Sequence, residues 1–160
     1  MLYEQIQSAI AYIRTRTDFQ PRTGIILGTG LGQLTEDVEE VASVDYSDIP
    51  HFARSTVESH QGRLVFGRLE GHPIVVMAGR FHYYEGWTMQ QVTFPVRVLG
   101  ALGIERLFIT NVSGGVNPHL RAGDLVVGGL DAVAQADGGD TAVFVAGPGV
   151  HGHGVGVVDE

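Results

Sequence analysis

The sequence contains no cysteine and no lysine. Without cysteine there is no disulfide framework and no thiolate metal site, a composition that suits a reducing cytoplasm. Without lysine there is no Schiff-base chemistry and no phosphate-loop lysine, so all ten basic residues are arginine. Long apolar runs are missing too. Nothing approaches the roughly 20 residues of a membrane span, and the opening "MLYEQIQSAIAYIRTRTDF" lacks the basic start, apolar core and small-residue cleavage site of a secretory leader. Positive charge is scarce: 10 basic against 18 acidic residues gives a net charge of -8. That balance argues against nucleic acid or an anionic membrane as a partner, but leaves room for arginines to converge on a small anion.

What remains is a 160-residue chain, 44% hydrophobic, with a mean hydropathy of +0.11. It is long enough for one domain with a substantial core. Leu2, Ile6, Ala9, Ile10 and Ile13 recur at helical spacing and predict an amphipathic helix over residues 2–17. "TGIILGTG" (23–30) reads as a short buried strand entering a glycine-rich turn, and "VEEVASVDY" (38–46) as an exposed strand. "GRLVFGRLEGHPIVVMAG" (62–79) reads as a hairpin turning at "LEGHP". Residues 88–102 read as a helix opened by Thr88, with Pro95 expected to kink or interrupt it. "RLFITN" (106–111) is a further buried strand, running into "VSGGVNP". Strands interleaved with helices, each discharging into a glycine-rich loop, predict an α/β fold: a mixed central sheet flanked by helices, with its site at the strand ends.

Three loops carry the chemistry. "GTGLGQL" (28–34) offers backbone N–H groups and the Thr29 hydroxyl to an anion, though the same glycines serve equally as a tight packing turn. Its glycine spacing is not the dinucleotide fingerprint, and a phosphate-binding P-loop requires the absent lysine. "GRFHYYEG" (79–86) is more specific. Arg80 presents a planar fork suited to phosphate, His82 can donate to the same anion or relay a proton, and the tyrosines offer a flat wall for a sugar or base. "TNVSGGVNP" (110–118) adds Asn111 and Ser113 as polar handles. His51, His60 and His119 are scattered, with no spacing that builds a zinc site, so no metal is expected. His151 and His153, a pair in the glycine-rich tail, are assigned no role, and Glu36, Asp37, Glu39 and Glu40 read as a solvated acidic stretch. Taken together, the loops suggest one phosphate pocket.

"GIILGTGLG", "STVESHQGRLVFG", "MAGRFHYYEGW", "FPVRVLGALGIERLFITN" and "SGGVNP..LRAGDLVV" closely resemble, in this order, the trimeric purine nucleoside phosphorylase family. The likeness runs almost continuously over residues 1–127, and "GRFHYYEG" favours this branch over the related methylthioadenosine phosphorylases. The resemblance implies a phosphorylase/hydrolase-like fold and a pentosyltransferase converting a purine nucleoside and inorganic phosphate to free base and ribose 1-phosphate. It implies no cofactor and a cytoplasmic homotrimer. It also implies phosphate contacts from Thr29, Arg80, His82 and the backbone N–H of Val112, with His82 the catalytic candidate. Tyr84 falls on a ribose contact and His60 in the loop gating the pocket. Family members usually have two alanines where this chain has Val112 and Ser113.

The family's base-reading glutamate and asparagine, a further phosphate serine and a ribose histidine come later in its sequences. Here residues 128–160 hold nine of the 23 glycines, five acidic residues and no basic one, and match none of those positions. The chain therefore divides at about residue 127. The first part reads as the N-terminal portion of a truncated phosphorylase domain. The second reads as a loosely ordered tail, of frameshift or fusion character more than a naturally divergent short form, in which only "TAVFVAG" (141–147) can form a strand. The expectation is an incomplete form with little or no activity; the alternative is a non-catalytic phosphate- or nucleoside-binding fragment, or a subunit that needs a partner chain to supply the base site. A marginal core prone to aggregation is expected in place of the trimer.

Overall fold

A computed structural model describes residues 1–28, 30–53 and 62–111, together with the backbone of 125–129 and 141–146. Helix α1 spans Leu2–Arg16. Strand β1 (Thr23–Ile26), strand β2 (Glu39–Asp45) and the hairpin β3 (Arg63–Leu69) and β4 (His72–Ala78) follow, then helix α2 (Met89–Ala101) and strand β5 (Arg106–Asn111). Strands β6 (Leu125–Gly129) and β7 (Thr141–Ala146) complete a mixed seven-stranded sheet in the order β2-β3-β4-β1-β5-β7-β6. The strand expected at 141–147 is thus β7, parallel to β5 and antiparallel to β6.

The sheet's centre is parallel. β1 runs beside β4 on one side and β5 on the other, with Ile26 opposite both Met77 and Ile109. Alternation sends side chains to two faces. Ile26, Leu64, Phe66, Val75, Met77 and Leu107 join Ala9 and Ile13 of α1 and Phe94, Val98 and Leu99 of α2 in the larger cluster. Ile25, Leu27, Val65, Ile74, Val76 and Ala78 form the other, against Leu31 and Leu34 of the turn after β1. Burial on both faces explains why these strands read as continuous apolar runs. β2 is different: at the sheet's margin it is mostly exposed, as its charged sequence predicts.

Local chemistry sets the element ends. Thr88 caps α2: its hydroxyl accepts from the Gln91 N–H at 3.3 Å, and the Gln91 side chain accepts from the Thr88 N–H at 3.0 Å. The hairpin turns through Glu70 (φ 49) and Gly71 (φ 77), the left-handed pair a two-residue turn requires. Pro95 does not interrupt its helix. α2 continues through it from Met89 to Ala101, one N–H short, because the proline ring is fully buried in the core. Its packing offsets the missing hydrogen bond.

Candidate functional site

Because β4, β1 and β5 are parallel neighbours in register, their C-terminal ends open onto one edge of the sheet. The three loops picked out in the sequence leave from there: after Ile26, after Ala78 and after Asn111. Such strand ends are where open α/β sheets place ligands.

Arg80 is half-buried and held from two sides. Its Nε donates to His82 Nε2 at 3.1 Å, and one terminal nitrogen donates to the Thr110 carbonyl at 2.9 Å. Among the described residues no other acceptor takes a hydrogen bond from the Arg80 guanidinium, and no carboxylate pairs with it. Half-shielding from water strengthens what a guanidinium gains from an anionic partner.

His82 precedes a short 3₁₀ turn, Tyr83–Glu85, closed by Gly86 at φ 89. The buried Glu85 carboxylate accepts from the His82 backbone N–H at 2.9 Å, and its other oxygen lies 3.7 Å from His82 Nδ1. With Nε2 accepting from Arg80, the neutral imidazole carries its proton on Nδ1, facing Glu85. Tyr84 stacks on the His82 ring (centroids 4.7 Å apart, planes 20° apart), while its other side faces solvent. The arrangement is a cation and an imidazole side by side, with a phenol laid over the imidazole.

The turn leading to Arg80 is fixed from beneath. Tyr46, 2% exposed and packed against Phe52 and Phe81, donates to the Gly79 carbonyl at 2.8 Å. Burial pushes its phenol far above the ordinary value of 10.0. On the third strand, the buried Thr110 hydroxyl accepts from the Gly28 N–H at 2.9 Å and donates to the Ile26 carbonyl at 3.0 Å. Gly28 has no room for a side chain, since a Cβ there would lie 2.7 Å from the Thr110 carbonyl oxygen.

Of the residues singled out in the sequence, the structure brings Arg80 into contact with His82, and His82 into contact with Tyr84. Thr29, His60 and Val112 lie outside the described residues, as do Ser113, His119, His151 and His153. No group of three or more metal-ligating side chains occurs among the described residues. Thr110, Glu85 and Tyr46 were missed by sequence reasoning. Glu85 had a signal, its position three residues after His82 at the start of a turn. Thr110 looked like an ordinary β-branched strand residue, and Tyr46 like one more aromatic.

The family model of the phosphorylase superfamily matches residues 22–158. The chain belongs to the phosphorylase superfamily. Among the superfamily's curated members it is 51% identical over 122 residues to purine nucleoside phosphorylase 1 of Geobacillus stearothermophilus, which covers 76% of this chain and 44% of that protein. It is 46% identical over 125 residues to purine nucleoside phosphorylase of Mus musculus (78% and 43%). Isoform 2 of purine nucleoside phosphorylase from Schistosoma mansoni, solved in complex with cytosine and ribose-1-phosphate, superposes with a TM-score of 0.73 at 44% identity. That match covers 78% of this chain and 44% of the solved one. The chain thus spans less than half the length of these superfamily relatives, while the family model's match runs past the compositional break at residue 127.

Proposed function

We propose that the chain forms the phosphate side of a purine nucleoside phosphorylase, acting on a purine nucleoside and inorganic phosphate to release free base and ribose 1-phosphate. The observation that carries the reading is Arg80: a half-buried guanidinium at the shared end of three strands, bonded to His82 and with no carboxylate partner among the described residues. Similarity to relatives named purine nucleoside phosphorylase supplies the substrate class.

In this reading Arg80 and His82 hold the phosphate, joined by the Thr29 hydroxyl and the Val112 backbone N–H. Tyr84 backs the ribose, and His60 lies in the loop gating the pocket. The glycosidic C–N bond breaks with its electron pair leaving on the purine, while a phosphate oxygen forms the new bond to the sugar's anomeric carbon. The phosphate dianion stabilises the oxocarbenium character of the ribose and then captures it. The Arg80 donors orient that dianion, and His82, the catalytic candidate, joins them once phosphate takes the Arg80 Nε–H and the imidazole proton sits on the Nε2 thus released. No cofactor or metal enters these steps. The reading extends to a cytoplasmic homotrimer, which gel filtration and cell fractionation test.

Departure of the purine needs a proton donor at the base end, and residues 1–111 offer no matched group for it. With the chain spanning less than half its relatives' length, a second reading is a phosphate-binding chain without turnover of its own, or one completed by a partner. Isothermal titration with phosphate, beside a coupled assay of inosine phosphorolysis, separates the readings. Binding with turnover supports the enzyme, and binding without turnover supports the second reading. The absence of binding, or binding unchanged in Arg80→Ala, refutes both.

A further inference from the structure

The backbone ladder between β1 and β5 ends at the pair Ile26–Ile109. One residue later a side chain continues it. The Thr110 hydroxyl donates to the Ile26 carbonyl and accepts from the Gly28 N–H, so it serves as the next rung between the strands. The same residue's carbonyl accepts from Arg80. Thr110 is 9% exposed, and its two hydroxyl bonds use its one donor and one of its two acceptor lone pairs at ordinary distances.

We infer that Thr110 is the positioning residue of the anion site: its hydroxyl fixes the loop after β1 and its carbonyl aims Arg80, so that both loops take their place from one point on β5. The inference rests on the phosphate reading above for its functional consequence, but the coupling itself is a property of the chain without ligand. It requires a hydroxyl at position 110. Valine, of nearly the same shape, takes away the partner of the buried Gly28 N–H and the hydroxyl donor to the Ile26 carbonyl. Serine retains both bonds. A residue needed only for packing would show the reverse order, with valine tolerated and serine, lacking the methyl group, the worse substitute.

The test compares Thr110→Val and Thr110→Ser with the unsubstituted chain, first without phosphate. The backbone resonance of Gly28 and the side-chain Nε–H resonance of Arg80 should both move in Thr110→Val and stay near their original positions in Thr110→Ser. Phosphate titration should then show affinity reduced about tenfold in Thr110→Val, the equivalent of one hydrogen bond, and within about twofold of the original in Thr110→Ser. Unmoved Gly28 and Arg80 resonances in Thr110→Val overturn the coupling. Moved resonances with unchanged affinity overturn its role in the site. If the unsubstituted chain binds no phosphate, the anion reading fails, and the resonances alone judge the coupling. Should Thr110→Val not fold, hydrogen exchange on the unsubstituted chain decides: the Gly28 amide must be protected, and a freely exchanging one overturns the proposal.

Discussion

The two ends of the same three strands are built differently. At the N-terminal end, Arg22 ties them together. Its N–H donates to the Pro73 carbonyl at 3.0 Å, and its carbonyl accepts from the Glu105 and Arg106 N–H groups at 2.7 and 3.3 Å. Its guanidinium meets the Glu105 carboxylate with contacts as short as 2.8 Å. At the C-terminal end, Thr110 makes the ties and Arg80 supplies the cation. The difference is in charge. Arg22 is exposed and neutralised by a neighbouring carboxylate, whereas Arg80 is half-buried and has no carboxylate partner among the described residues. One end is a structural closure, the other the proposed receptor.

Substitutions that break this contrast rank by expected effect. Arg80→Ala should act most strongly, lowering phosphate affinity by about 10- to 150-fold, since a charge-assisted hydrogen bond contributes about 1.5–3 kcal/mol. Calorimetric titration reads it, and an unaltered affinity would remove the receptor from that end. Gly28→Ala comes next. Its Cβ would press on the Thr110 carbonyl and on Asn111 Cα at 3.0 Å, neither of which is a flexible side chain. Overpacking of this kind costs about 1–3 kcal/mol, seen as a lowered urea midpoint.

Tyr46→Phe sharpens the picture from beneath the site. Loss of the hydroxyl leaves the Gly79 carbonyl without its buried donor, a cost of about 1 kcal/mol in thermal or denaturant unfolding. The same group predicts a pH response. Burial raises the folded phenol above its ordinary value of 10.0, so the unfolded chain loses this proton first as pH rises. Stability from Tyr46 is complete below that value and declines above it, by at most about 1.4 kcal/mol per pH unit. Tyr46→Phe should flatten that alkaline decline, and an equally steep decline in the variant would contradict the assignment. Arg22→Ala is the smallest expected change. An exposed, salt-screened pair contributes little, and phosphate affinity should be the same as in the original chain.

Much of this was legible in the sequence. Apolar runs and their glycine-rich exits located β1, β4 and β5, and the helical spacing of Ile6, Ala9 and Ile13 located α1. Arg80, His82 and Tyr84 stood out because a cation, an imidazole and a phenol rarely crowd together after a buried strand without a ligand to meet. Local rules failed where tertiary packing decides. Pro95 breaks an isolated helix but here is buried in a continuous one. Thr110 and Tyr46 carry no local signature, because their partners Gly28 and Gly79 are 82 and 33 residues away. Only the fold brings them together.

The most direct test of the receptor end is a phosphate titration followed by backbone amide resonances across both ends of the three strands. The account predicts saturable shifts at Gly28, Arg80, His82 and Asn111, silence at Arg22 and Glu105, and loss of the response in Arg80→Ala. Shifts confined to the Arg22 end, or a response that survives Arg80→Ala, would contradict it.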